Sequence, residues 1–211
     1  MTVVFDLDYT LFNTKQFKEK LPLIFGMTIE EFSRSYHEHF KSKGVNYNLE
    51  KHSGILKKEG IVKSDEEMEE IKKNFNDFIK GIDSYLYKDA EEVLKQYHQH
   101  GDKLILASFG DIGWQKKKIE NLKIKDLFDQ IVCEDSDKAE NEFLKSLKEQ
   151  EEKVLIINDN YKESEKMLEV LGDKAELRLI KGPYSAEAES KIKLYENISQ
   201  LLEEEEAGKE M

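Results

Sequence analysis

The stretch Val3-Val4-Phe5-Asp6-Leu7-Asp8-Tyr9-Thr10-Leu11 is an apolar run that ends in two carboxylates one residue apart, followed by a hydroxyl. The run has the composition of a β-strand. Side chains at i and i+2 of a strand share a face, so Asp6 and Asp8 leave it in the same direction and can address one reacting group. One carboxylate can attack while the other moves a proton. Taken alone, the same residues also describe an Asx-rich turn closing a strand, so the choice rests on the rest of the chain.

Four further apolar runs read as strands: Lys103 to Ser108, Gln130 to Glu134, Lys153 to Asp159 and Glu176 to Lys181. They alternate with helical patterns over Ala90 to His100, Trp114 to Leu122, Ala139 to Glu149 and Glu163 to Leu171. Alternating βα units predict an α/β protein with a Rossmann-like parallel sheet covered on both faces. Between the first and second strands the pattern is helical only. Thr28-x-x-Glu31 and Ser64-x-x-Glu67 read as capping boxes. Phe32, Tyr36 and Phe40 recur at four-residue spacing, and Met68, Ile71, Phe75, Phe78 and Ile82 follow a 3.6-residue period. The expected organisation is a core of residues 1–14 and 89–202, a helical insertion over 15–88, and an acidic solvated tail over 203–211.

The 211 residues suffice for a full core, and 38% hydrophobic with 37% charged residues describes many solvated helix faces. A net charge of −12 argues against general nucleic-acid binding, which needs a concentrated basic surface. No apolar run reaches the roughly twenty residues that span a bilayer. The single cysteine, Cys133, fits a reducing compartment and reads as a core residue. These features lead to an expectation of a cytoplasmic protein without membrane or nucleic-acid partners, its oligomeric state left open.

In open α/β sheets ligands bind beyond the carboxyl ends of the strands. There the chain offers Asp6, Asp8 and Thr10 after the first strand and Ser108, Phe109 and Gly110 at the second. Asp135, Asp137 and Lys138 follow the third, and Asn158-Asp159-Asn160 with Glu163 the fourth. Carboxylates, a hydroxyl and an ammonium gathered at one edge suit phosphoryl transfer, where catalysis is mostly positioning and electrostatic stabilisation. Oxygen ligands such as Asp6 and Asp159 suit Mg²⁺.

With these residues in place, the chain resembles the haloacid dehalogenase-like hydrolase superfamily, in its phosphatase branch. Phe5-Asp6-Leu7-Asp8-Tyr9-Thr10-Leu11 is similar to the first motif, Leu104-Ile105-Leu106-Ala107-Ser108 to the second, Lys138 to the third, and Leu155-Ile156-Ile157-Asn158-Asp159 through Glu163 to the fourth. The resemblance implies Asp6 as a nucleophile forming an aspartyl-phosphate and Asp8 as the acid and base. It implies phosphate binding by Ser108, Phe109 and Lys138, and Mg²⁺ on Asp6, the Asp8 carbonyl and Asp159, with Thr10 and Glu163 in support. The insertion at 15–88 is similar to the helical cap of that superfamily, and the implied substrate is a small phosphorylated metabolite. Specificity is expected among Phe12, Asn13, Phe17 and Phe25. Asn158 stands where the fourth motif commonly has glycine, Glu163 where it has aspartate, and Tyr9 where glycine is frequent. A phosphotransferase or phosphomutase on the same fold is the alternative reading, with a non-catalytic phosphate-binding or signalling module behind it.

Overall fold

The computed structural model describes residues 1–135, 142–188 and 192–202; the expected tail over 203–211 lies outside them. Six strands form one parallel sheet in the order β3-β2-β1-β4-β5-β6, with β1 Thr2–Phe5, β2 Lys103–Phe109, β3 Gln130–Glu134, β4 Val154–Asn158, β5 Ala175–Ile180 and β6 Leu194–Tyr195. The expected α/β architecture with a Rossmann-like sheet is therefore present. β1 is central, with Val4 in register with Ile105 on one side and Ile156 on the other.

The chain divides into two compact units, the first being Met1–Asn13, Leu86–Phe109 and Lys123–Met211. Strands buried on both faces need apolar cover above and below, and here three helices supply it. Val4, Ile105 and Ile156 pack with Phe143, Leu144 and Leu147 of α7 (Glu142–Glu149) and Met167 and Leu171 of α8 (Tyr161–Leu171). Phe5, which alternation turns the other way, meets Tyr97 of α5 (Ala90–Gln99) edge-on at 5.7 Å. The edge strand β3 is less covered, so Cys133 is half-buried instead of lying in the core.

The second unit is Thr14–Tyr85 with Gly110–Leu122. It contains α1 (Thr14–Ile24), α2 (Ile29–His39), α3 (Leu49–Lys58), α4 (Asp65–Lys80) and α6 (Ile112–Glu120). At Thr28 the capping box is complete: Glu31 N–H donates to Thr28 Oγ1, and Thr28 N–H to Glu31 Oε2. At Ser64 only half of it forms. Glu67 N–H donates to Ser64 Oγ, while the Glu67 carboxylate takes the N–H of Lys63.

The aromatic stripes form this unit's own core. Phe17, placed among the specificity candidates, is buried against Phe78 at 5.0 Å and Tyr85 at 5.4 Å. Phe25 packs on Phe32 and His52, and Phe12, in the first unit, is fully buried. Phe12 and Phe17 are thus buried, while Phe25 is half-buried. His52 is 0% exposed, with Ser35 Oγ at 2.9 Å from Nε2 and Tyr47 Oη at 3.3 Å from Nδ1. Both partners are neutral hydroxyls, so nothing there compensates a positive charge.

Burial first, and then the nearby His39, push the His52 imidazole down from 6.5 to about 4. The unfolded chain takes up this proton near 6.5 and the folded chain only near 4. The stabilisation is whole above about pH 6.5 and is lost as the pH falls through that window, amounting to about 3 kcal/mol at most. Thermal melts between pH 7 and 4 should show this loss, and His52→Gln should flatten the profile relative to wild type. Parallel profiles for the two proteins would dismiss His52 as the source.

Candidate functional site

The site is built from the carboxyl ends of β1, β2 and β4, which the sheet order sets side by side. The Asp6 N–H donates to the Ile157 carbonyl at 2.9 Å, extending the ladder one residue past β1. Asp6 is thereby fixed at the mouth of the β1–β4 pair, level with Asn158, the residue before Asp159. A tight turn follows: the N–H groups of Leu11 and Phe12 both donate to the Leu7 carbonyl, at 3.1 and 3.0 Å. Tyr9 accommodates this turn with φ +65°, the left-handed region that explains why glycine suits the position. The turn leaves Asp6 and Asp8 half-buried at its start and buries Thr10 completely.

Ser108 is 1% exposed, and among the described residues its Oγ has no hydrogen-bond partner; the same is true of Oγ1 of the buried Thr10. A buried hydroxyl left unpaired is costly, so its presence at a strand end points to a ligand oxygen. Phe109, next in β2, is half-buried. Asp159 is buried at 2% exposure immediately beyond β4. Burial first, and then the Asp159 charge, hold the Tyr87 phenol above its ordinary value, which places Tyr87 within electrostatic reach of Asp159. Its position depends on the chain beside Thr10, since the Tyr87 N–H donates to the Leu11 carbonyl at 2.9 Å.

The two departures in the fourth motif touch one another. Asn158 Nδ2 donates to Glu163 Oε2 at 3.3 Å, and Asn158 Oδ1 accepts the Asn160 N–H at 3.0 Å. Asn160 then caps α8, its Oδ1 accepting the Glu163 N–H. Glu163 is thus held in the first turn of α8 and bonded to the residue preceding Asp159. Asp135 lies exposed just past β3, while Asp137 and Lys138 fall outside the described residues.

Two neighbours of the site have no signature in the sequence. Tyr87 sits at the end of a helical stretch with no periodic signal. Gly182 stands in a Gly-Pro turn after β5, and a Cβ built on it would lie 2.5 Å from Asp159 Oδ2 and 2.8 Å from Asp159 Cβ. Ser185 closes this turn, its Oγ accepting the Gly182 N–H and donating to the Gly182 carbonyl. The Gly-Pro pair alone signals a turn; only the fold reveals a cradle for the carboxylate.

Among the described residues no three His, Cys, Asp or Glu side chains group closely enough to hold a metal ion. The donors at this edge are nevertheless all oxygen: the Asp6 and Asp159 carboxylates on adjacent strand ends, the latter buried against Gly182, and main-chain carbonyls. That set suits a hard cation that keeps several waters.

The family model described as haloacid dehalogenase-like hydrolase matches residues 3–166, and the chain belongs to that family. Solved structures with the same fold include a proposed haloacid dehalogenase-like hydrolase from Burkholderia xenovorans LB400, at 16% identity and a TM-score of 0.71, covering 96% of this chain and 94% of that one. Another is the proposed HAD-hydrolase YfnB from Bacillus subtilis, bound to magnesium, at 14% identity, a TM-score of 0.63 and 96% of each chain. A third, proposed to be a beta-phosphoglucomutase, comes from Thermotoga maritima, at 18% identity, a TM-score of 0.62, and 97% and 99% of the two chains. No curated protein matches. Among the described residues no helix is long and apolar enough to cross a membrane.

Gly182→Ala should cost about 1–3 kcal/mol, because the added methyl displaces either Asp159 or the turn. Melting should fall by roughly 2–4 °C for each kcal/mol. Gly54→Ala, inside α3 with nothing within 4 Å of its Cβ position, should be neutral or stabilising. Equal melting temperatures for the two variants would contradict the close packing of Gly182 on Asp159.

Proposed function

We propose that the protein is a Mg²⁺-dependent phosphoric monoester phosphatase acting on a small phosphorylated metabolite in the cytoplasm. The observation that carries this reading is the buried Ser108 hydroxyl, unpartnered among the described residues, at the same sheet edge as Asp6 and Asp159. In this reading the Asp6 carboxylate attacks phosphorus, forming an aspartyl-phosphate as the bond to the ester oxygen breaks. Asp8 gives that oxygen its proton. Asp8 then takes a proton from water as the water attacks phosphorus, which returns Asp6 to its carboxylate form. Ser108, the Phe109 main chain and Lys138 hold the phosphoryl oxygens, and Thr10 and Glu163 support the carboxylates. Asp6, Asp159 and the Asp8 carbonyl would hold Mg²⁺, which when bound would offset charge on the phosphoryl group. The helices of Thr14–Tyr85 supply the cap.

The likeness to a proposed mutase favours one second reading, in which an acceptor hydroxyl replaces water. Competition between water and added sugar alcohols for the phosphoryl group separates the two.

Purified protein should hydrolyse an aryl phosphate with Mg²⁺ and stop when the metal is chelated. Asp6→Asn should lower turnover by at least about 10²-fold. Asp8→Ala should spare aryl phosphates relative to alkyl phosphates, whose leaving groups need the proton. Turnover that persists in Asp6→Asn would remove the nucleophile, and equal losses on both ester classes would leave Asp8 a structural role.

Asp159→Asn should raise the Mg²⁺ requirement steeply, whereas Glu163→Gln, acting through Asn158, should shift it by about 10- to 100-fold. Activity against Mg²⁺ concentration checks this. An unchanged requirement in Asp159→Asn would move the metal elsewhere.

A further inference from the structure

We infer that Tyr184 is a positioning residue for Asp8, its ring holding Tyr9 in the left-handed conformation from which the turn after Asp8 is built; this rests on the reading of Asp8 as the acid of the reaction. Both tyrosines belong to the first compact unit. Among the described residues only Tyr9, at φ +65°, and Asp89, at φ +67°, take a positive φ without being glycine. Aspartate tolerates that region because its short polar side chain can bond locally, whereas a tyrosine there leaves the backbone strained. The turn is closed in this conformation. The Tyr9 N–H donates to the Phe12 carbonyl at 2.9 Å, while the Leu11 and Phe12 N–H groups share the Leu7 carbonyl. Relaxing residue 9 toward negative φ would rotate the Asp8–Tyr9 peptide and carry the Asp8 side chain with it.

The contact made by the Tyr9 ring opposes that relaxation. It meets the Tyr184 ring edge-on, with centroids 5.9 Å apart and an interplanar angle of 79°, a geometry in which aromatic rings attract. Tyr184 is 54% exposed, so burial alone does not account for a large ring at this place. Its main chain is nevertheless held on both sides. Before it, the Gly182 N–H donates to Ser185 Oγ at 3.0 Å, and the Ser185 hydroxyl and N–H both donate to the Gly182 carbonyl. Ser185 itself is 1% exposed. The Tyr184 carbonyl accepts the N–H of Tyr161, the first residue of α8, at 3.3 Å. A ring presented from a loop anchored in this way is a fixed support, and Tyr9 is the strained partner that leans on it. Tyrosine where glycine is frequent thus comes with a second tyrosine far along the chain. A pair of this kind biases an equilibrium between two conformations by roughly 2- to 12-fold.

The test measures kcat and KM on an aryl and an alkyl phosphate, with melting temperatures, for Tyr184→Ala, Tyr184→Phe, Tyr9→Gly and the double variant Tyr9→Gly with Tyr184→Ala. The alkyl leaving group needs the Asp8 proton and the aryl one needs it less, so Tyr184→Ala should lower the alkyl-to-aryl ratio of kcat about 3- to 10-fold, with KM for each ester within about twofold. Tyr184→Phe keeps the ring and should retain the wild-type ratio. Glycine takes a positive φ without strain, so with glycine at position 9 the change at Tyr184 should no longer move the ratio. An unchanged ratio in Tyr184→Ala, a ratio lowered as much in Tyr184→Phe, or an equal fall with glycine at position 9 would overturn the inference. Should Tyr184→Ala fold poorly, Tyr184→Leu, which fills the space without a ring, decides in its place. Asp8→Ala separates the two claims. If it costs both ester classes equally, the reading of Asp8 as the acid falls and this inference with it; if it lowers the ratio while Tyr184→Ala does not, only this inference falls.

Discussion

The parallel ladder on both sides of β1 is the constraint on which the remaining structure depends. Val3, Val4 and Phe5 pair with Leu104, Ile105 and Leu106 on one flank and with Leu155, Ile156 and Ile157 on the other. Because side chains alternate along a strand, a slip of one residue would exchange every core contact for its opposite face. The packing of Val4 toward α7 and α8 and of Phe5 toward Tyr97 excludes such a slip. Once register is fixed, the position of each strand end is fixed too, and with it the chemistry that follows. Asp6 stands beside β4 through its own N–H, and Asp159 follows β4 by one residue. The sheet is thus as much the positioning device of the candidate site as its support.

Much of this was legible in the chain because its signals are local. Val154 to Ile157 is a short, continuous apolar run rich in β-branched residues, which suits a strand covered on both faces, and it became β4. Thr28 and Glu31 sit at a fixed spacing that the backbone answers directly. Legibility failed where the deciding contact is distant in sequence. β6 is two residues long and carries no period; its pairing with β5 comes from tertiary placement. Helix α6 begins at Ile112, two residues before the expected start, because Asp111 caps it while also bonding Asn48, 63 residues away. Gly182 carries meaning only through Asp159, from which 23 positions of sequence separate it.

Asn158 and Glu163 illustrate how a departure from a motif can preserve its physics. A glycine before Asp159 would offer no side chain, and an aspartate at 163 would be shorter by a methylene. Here the longer acid meets the amide that replaces the glycine. The pair restrains the first turn of α8, while Asn160 caps the same turn. Two substitutions that look separate in sequence therefore form one local unit beside the buried Asp159, Asn158 itself being 1% exposed and Glu163 half-buried.

The same logic links Tyr9 and Gly182 as opposite solutions to crowding at the sheet edge. At Tyr9 the backbone takes a left-handed conformation despite a bulky side chain, and the ring gains an edge-on contact with Tyr184 at 5.9 Å. Such a contact contributes roughly 0.5–1.5 kcal/mol, comparable to the strain it offsets. At Gly182 no side chain fits at all, because the Asp159 carboxylate fills the space. The loop of residues 182–185 thus does two things within four residues: its glycine admits Asp159, and its tyrosine steadies the turn that follows Asp8. One short segment just past the end of β5 therefore touches both Asp159 and the residue that follows Asp8.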